Sequence, residues 1–175
     1  MTKYFAVVGN PITQSLSPKI HQAAYQFLGL DNYYSAHQVE LGGLQDYLDR
    51  NKTLAGLSVT MPLKVEAFEL SDKVDEIANQ TGVVNTLVIR DSQYLGFNTD
   101  VFGLAKAVEH LTFDSVAVIG SGATARSAIY AMQHMVQTPS VKLFARNQVE
   151  VERLATKFSI TGEDISTYEG GFDLV

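Results

Sequence analysis

Apolar and polar positions follow two patterns along this chain. Short apolar runs are typical of buried strands, and longer stretches with apolar residues three or four positions apart are typical of helices. The predicted strands cover residues 4–8, 33–39, 57–59, 83–89, 94–97, 116–119 and 141–144. The predicted helices begin near Ser17, Leu44, Pro62, Asp100 and Val151, and one more follows the turn Gly120-Ser121-Gly122. Strands and helices alternate throughout, which indicates an α/β protein.

Turn and cap residues sharpen these predictions. Ser17 is predicted to cap a helix that Pro18 opens, and Gly29 suits the end of that helix. Asp91-Ser92 separates two predicted strands, as in a hairpin. An amphipathic helix is predicted from the spacing of apolar residues at Ile20, Ala24, Phe27 and Leu28.

Composition narrows the functional classes. The 175 residues are 46% hydrophobic and 18% charged, with a formal net charge of −6 and no cysteine. The acidic balance argues against a nucleic-acid partner, and the absence of cysteine excludes disulfides and thiolate metal sites. The longest apolar run near the start is too short for a signal or membrane segment. A cytoplasmic protein without nucleic-acid or membrane partners is therefore expected.

A glycine turn joins a predicted strand to a predicted helix at Gly120-Ser121-Gly122. Such a turn lets the backbone approach a pyrophosphate at a helix N-terminus, although it also serves as a plain tight turn. The usual third glycine of the G-x-G-x-x-G pattern is absent, because Ala125 occupies its place. Arg146 ends the next predicted strand, where a cation suits the 2′-phosphate of NADP; the alternative is an ordinary solvated charge.

Lys64 and Asp100 form a candidate proton-transfer pair. Lys64 is predicted in the first turn of one helix, and Asp100 is predicted to cap another. Taken singly, a surface amine and a helix cap explain them. Taken together, an amine near a carboxylate could remove a hydroxyl proton while a nicotinamide accepts hydride. No histidine has metal-ligand spacing, so no metal is predicted, and His21 is expected to be a packed residue.

Several motifs carry a resemblance to one family, in a fixed order along most of the chain. The motifs are Gly9-Asn10-Pro11-Ile12, Ser15-Leu16-Ser17-Pro18-Lys19-Ile20-His21, Val59-Thr60-Met61-Pro62-Leu63-Lys64, Gly82-Val83-Val84-Asn85-Thr86 and Gly96-Phe97-Asn98-Thr99-Asp100-Val101-Phe102-Gly103. With these motifs the chain resembles the shikimate dehydrogenases, which reduce 3-dehydroshikimate to shikimate.

The resemblance implies a role for each matching residue. Ser15 and Ser17 would hold the substrate carboxylate, Thr60 and Asn85 would contact ring hydroxyls, and Lys64 and Asp100 would be catalytic and also touch substrate. The implied cofactor is NADP, and its implied contacts are Glu76, Gly120, Ser121, Gly122, Ala123, Thr124, Ala145, Arg146 and Asn147.

The same resemblance implies the domain order and the biological setting. An N-terminal α/β substrate-binding catalytic domain, residues 1–101, would precede an incomplete Rossmann-like NADP-binding domain, residues 102–175. The implied setting is chorismate and aromatic amino-acid biosynthesis, with shikimate and 3-dehydroshikimate as small-molecule ligands. The sequence is compatible with a homodimer. Residues 170–175 are typical of a strand start, so the chain is expected to end inside the second domain.

Departures from the family pattern leave alternatives open. Ser58 replaces a common Asn, Ala123 replaces a frequent glycine, Ala145 and Asn147 flank Arg146 in place of the usual Asn and Thr, and Glu150 stands where a second cation often assists the phosphate. The alternatives are an NAD-dependent quinate/shikimate dehydrogenase and a catalytically inactive shikimate-binding fragment. Cofactor preference and activity on quinate would distinguish the first of these.

Overall fold

Two units make up the chain in the computed structural model, which describes residues 2–175. One unit extends to Asn98 and the other begins at Thr99. Strands and helices alternate in both, which confirms the predicted α/β class. No helix within residues 2–175 is long and apolar enough to cross a membrane.

The first unit is built on a six-stranded mixed sheet. Its strands are β1 (Lys3–Gly9), β2 (Asn32–Gln38), β3 (Leu54–Val59), β4 (Lys73–Val74), β5 (Thr86–Arg90) and β6 (Gln93–Phe97). They lie in the order β2-β1-β3-β5-β6-β4. β1 pairs in parallel with both β2 and β3, whereas β3–β5 and β5–β6 are antiparallel. The β5–β6 hairpin turns at Asp91 and Ser92, both with positive φ, as their position predicts.

Three short helices pack on one face of this sheet: α2 (Leu44–Arg50), α3 (Lys64–Glu69) and α4 (Glu76–Thr81). Apolar side chains from the helices and strands interlock there, and Leu44, Leu63 and Leu87 are fully buried. Each such side chain contributes about 1.5–3 kcal/mol on burial. This core fixes the start of α3, and therefore the backbone of Lys64.

The remaining helix of this unit, α1 (Ser17–Phe27), differs from its prediction in two respects. Its N-cap is Leu16, so Ser17 is the first helical residue and not the cap. The apolar stripe lies largely in solvent, with Phe27 90% exposed. The end follows the prediction: Gly29 has φ +65°, and the amide of Leu30 donates to the carbonyl of Tyr25.

The second unit has a three-stranded parallel sheet of β7 (Ser115–Ile119), β8 (Ser140–Ala145) and β9 (Thr161–Asp164), which lie in that order. Its helices are α5 (Asp100–Val108), α6 (Ala123–Gln133) and α7 (Gln148–Phe158). Leu174 forms an isolated parallel bridge with Val116 on the outer side of β7. The consecutive strand–helix–strand units confirm the predicted parallel topology.

Several predicted boundaries are wrong by a few residues, and three of them fall at the candidate site. The helix predicted from Pro62 begins at Lys64, and the strand predicted from Val83 begins at Thr86. Asp100 is the first residue of α5, because Thr99 occupies the N-cap. In each case the residues before the element lie in an irregular turn that the apolar pattern does not distinguish from the element itself.

Candidate functional site

In the first unit, both serines of the early motif and Thr60 line one cavity of about 250 Å³. Ser15, Ser17 and Thr60 are all half-buried, and the amide of Ser17 donates to Ser15 Oγ at 3.3 Å. Hydroxyl groups and helix-start amides are the donors that a carboxylate prefers. The structure therefore brings together three residues whose roles the family resemblance implied.

The loop of Thr60 is fixed against the end of β1 by backbone hydrogen bonds. The amide of Thr60 donates to the carbonyl of Val8 at 2.9 Å, and the amide of Asn10 donates to the carbonyl of Met61 at 2.8 Å. A Cβ on Gly9 would overlap Thr60 Cγ2 and the carbonyl oxygen of Met61. Only glycine permits this close approach.

Asn85 lies at the start of β5 with its backbone held on both sides. Its carbonyl accepts from the amide of Val59 at 2.7 Å, and its amide donates to the carbonyl of Phe97 at 3.0 Å. Thr86 Oγ1 donates to Asn85 Oδ1 at 3.0 Å, which fixes the orientation of the side-chain amide. Thr86 thus positions the side chain of Asn85. It belongs to the same motif, but no role was predicted for it from the sequence.

Lys64 and Asp100 belong to different units. Lys64 is the first residue of α3 and is half-buried; its carbonyl accepts from the amide of Val84 at 3.0 Å. Asp100 is half-buried at the first position of α5, which is favourable for an acid next to free helix amides. Both residues therefore lie at helix starts, as their sequence context indicates.

Glu66 ties α3 to α2, a contact that the sequence does not reveal. Its carboxylate accepts from the amide of Gly42 at 2.8 Å and from the amide of Leu44 at 2.9 Å. Leu44 is the first residue of α2, so its amide has no partner within the helix, and Gly42 lies just before the N-cap. Glu66 therefore anchors the helix that begins at Lys64.

His21 is a packed residue, as expected. Its ring stacks on Tyr34 with centroids 4.1 Å apart and an interplanar angle of 2°. The hydroxyl of Tyr34 donates to Ser58 Oγ at 2.7 Å. Burial raises the pKa of Tyr34 above its ordinary value, so the phenol remains protonated and available as a donor. Ser58 is therefore engaged by a tyrosine on β2.

In the second unit, the glycine turn has the form that a phosphate-binding turn requires. Gly120 has φ +111°, and no atom lies within 4 Å of an added Cβ at Gly120 or Gly122. The turn connects β7 to α6, so the first amides of α6 border that open space. The predicted cofactor residues Ser121, Ala123 and Thr124 belong to the same turn and helix start.

The end of β8 carries the predicted phosphate cation. Ala145 is buried in the strand, whereas Arg146 and Asn147 are exposed. Asn147 caps α7 by accepting from the amide of Glu150 at 3.2 Å. Open space at the glycine turn and an exposed arginine at the neighbouring strand end fit a dinucleotide with a 2′-phosphate. Glu76, by contrast, is an exposed residue of α4 in the first unit.

Glu150 stands where the family often has a second cation. In the structure its carboxylate is paired with two arginines. Arg126 Nη2 lies 2.9 Å from Glu150 Oε1, and Arg153 Nη2 lies 2.6 Å from the same oxygen. The spacing of Glu150 and Arg153 on one helix predicts their pairing. The contact with Arg126 joins two helices and has no sequence signal. Within residues 2–175 no group of three or more His, Asp or Glu side chains is arranged to hold a metal.

Comparisons with known proteins agree with the motifs. Residues 7–87 match the model of the shikimate dehydrogenase substrate binding domain. An NADP(+)-dependent shikimate dehydrogenase of Shouchella clausii is 35% identical over 91% of this chain, and one of Staphylococcus aureus is 32% identical over 98%. The chain spans 60% and 66%, respectively, of the lengths of these relatives.

A solved structure supports the same relationship. Shikimate 5-dehydrogenase from Thermus thermophilus in complex with NADP(H) and shikimate has a TM-score of 0.82 and 30% identity. The similarity covers 92% of this chain and 62% of that one. The family model that matches residues 7–87 and the solved structure that covers most of the chain both point to the same family. The chain belongs to the shikimate dehydrogenase family.

Proposed function

We propose that this protein is an NADP-dependent shikimate dehydrogenase, an oxidoreductase that interconverts 3-dehydroshikimate and shikimate. The observation that carries the proposal is the cavity shared by Ser15, Ser17 and Thr60, which offers hydroxyl donors to a carboxylated ligand. The matched relatives and the NADP(H)–shikimate complex of the Thermus enzyme support the same assignment. A cytoplasmic location remains a prediction from the sequence.

In this proposal each residue of the first unit has a defined task. Ser15 and Ser17 hydrogen-bond the substrate carboxylate, and Thr60 and Asn85 hold ring hydroxyls. Thr86 keeps the Asn85 amide in one orientation. Lys64 accepts the proton of the hydroxyl that is oxidised and returns it in the reverse direction. Asp100, a residue of the second unit, keeps the catalytic role that the family resemblance implies.

The second unit is proposed to hold NADP. The amides at Gly120, Ser121, Gly122, Ala123 and Thr124 would face its pyrophosphate, and Arg146, flanked by Ala145 and Asn147, would face its 2′-phosphate. Bound there, NADP supplies the hydride-transfer chemistry. The role of Glu76 near the cofactor remains a prediction of the family resemblance alone.

The test is a spectrophotometric assay of NADPH formation from shikimate, with quinate as alternative substrate and NAD as alternative cofactor. The expected result is NADP-linked oxidation of shikimate. Lys64→Ala should lower kcat by about 10²–10⁴-fold with little change in the KM for shikimate, because a general base contributes on that scale. The protein would instead be a quinate/shikimate dehydrogenase if NAD and quinate gave the higher kcat/KM.

A further inference from the structure

Glu150 occupies the first turn of α7 and has both carboxylate oxygens engaged. Its Oε1 accepts from Nη2 of Arg126 and from Nη2 of Arg153, and its Oε2 accepts from Nε of Arg153 at 2.8 Å. The hydrogen bonds from Arg153, with the charges of both arginines, hold the pKa of Glu150 below its ordinary value. The acid is therefore ionised at neutral pH, and its charge is compensated.

The two arginines differ in their access to solvent. The side chain of Arg126 is 15% exposed and lies between α6 and α7, whereas that of Arg153 is 45% exposed. One carboxylate faces two guanidinium groups, so one positive charge is left uncompensated. Arg153 is the more exposed of the two, and it is the one that could bring this excess charge to a ligand. Burial, followed by the charges of Arg126 and Arg153, lowers the pKa of Lys157.

This cluster lies at the edge of the sheet where a nucleotide is expected. α6 follows the glycine turn after β7, and α7 follows Arg146 after β8. Side chains tilt toward the N-terminus of a helix, so Arg153 reaches back one turn to Glu150. The carboxyl ends of parallel strands are the usual nucleotide edge of such sheets. An uncompensated acid there would repel a 2′-phosphate.

We propose that Arg126 helps Arg153 to neutralise Glu150, so that Arg153 can serve with Arg146 as the second cation for the 2′-phosphate of NADP. This inference rests on the proposed function and extends it to cofactor selection. Arg153 is the specificity-determining residue, because its guanidinium is the exposed one. Arg126 is a positioning residue, because it acts through Glu150 and is largely buried.

Calorimetric titration of the full-length protein with NADP, NAD and adenosine 2′,5′-bisphosphate tests the inference without catalysis. Arg153→Met should weaken binding of NADP and of the bisphosphate by about tenfold, the scale of one charge-assisted contact, and leave NAD affinity unchanged. Lys52→Met is the matched control, because it removes an ion-paired cation from the first unit.

A double-mutant cycle separates neutralisation of Glu150 from a purely structural role. Arg126→Met should weaken NADP binding about tenfold, because Arg153 is then left as the only partner of Glu150. When Glu150→Gln is also present, Arg126→Met should change NADP affinity little, since no acid remains to be neutralised. The NAD affinity of every variant serves as the internal reference for intact folding.

Three results would overturn the inference. Unchanged NADP affinity in Arg153→Met removes that residue from the phosphate site. Additive effects of Arg126→Met and Glu150→Gln show that Arg126 does not act through Glu150. A parent protein that binds neither NADP nor the bisphosphate refutes the cofactor assignment of the proposed function, and with it this inference.

Discussion

Replacing Glu66 by alanine should destabilise the first unit substantially without removing any residue assigned to substrate. The carboxylate of Glu66 caps α2 through the amides of Gly42 and Leu44, at 2.8 and 2.9 Å. A hydrogen bond to a charged group contributes about 1.5–3 kcal/mol, and less where water can replace the partner. The Gly42 bond is exposed and the Leu44 bond is partly buried. Together they predict a loss of about 3 kcal/mol in the free energy of unfolding.

Urea unfolding followed by circular dichroism measures this loss. With a slope of about 2 kcal/mol per molar urea, the unfolding midpoint should fall by about 1.5 M. Glu69→Ala is the matched control, because Glu69 is an exposed acid on the same helix. The midpoint of Glu66→Gln should lie between those of the two alanine variants. The glutamine side chain has only one acceptor oxygen, whereas each of the two carboxylate oxygens accepts one amide. Equal midpoints for Glu66→Ala and Glu69→Ala would refute the reasoning.

Three further predictions concern ligands and pH. Ser15→Ala with Ser17→Ala should raise the KM for shikimate and leave that for NADP unchanged; an equal rise in both would make the motif structural. Arg146→Ala should reduce the kcat/KM preference for NADP over NAD by about 10- to 100-fold, which steady-state kinetics with both cofactors measures. The pKa of Glu150 is lower in the folded protein than its ordinary value, so the ionised carboxylate stabilises the fold. This contribution to the free energy of unfolding is fully present above the ordinary pKa and is lost as the pH falls through the pKa of the folded state. Melting temperatures of the parent should thus fall below about pH 4.5 more steeply than those of Glu150→Gln.

The sequence predicts most of the strands because their apolar runs are buried as expected. The runs that became β1, β7 and β8 were located within one or two residues. The two-residue strand Lys73–Val74 and the polar helix Glu76–Thr81 were missed, because neither has an apolar period long enough to detect. The exposed stripe of α1 shows the converse limit: helical spacing of apolar residues does not establish which surface covers them.

In the candidate site, too, some contacts can be predicted from the sequence and others cannot. The shared cavity of Ser15, Ser17 and Thr60 followed from motifs that resemble one family. The pairing of Arg126 with Glu150 joins residues 24 positions apart on different helices. No periodicity predicts such a contact. It compensates the negative charge of Glu150, in the first turn of the helix that follows β8. Sequence alone identified the position of the acid but not its charge environment.

The close contact at Gly9 sets a limit on how this family member could be redesigned. The end of β1, which leads into the loop of the serines, forms two backbone hydrogen bonds with the loop that leads to Lys64, counting the bond from Asn10. No room for a side chain is left at Gly9 between them. An insertion in either loop would displace both. Engineered changes in substrate choice should therefore succeed through side-chain replacement around a fixed backbone, as at Thr60 or Ser58, and fail through changes in loop length.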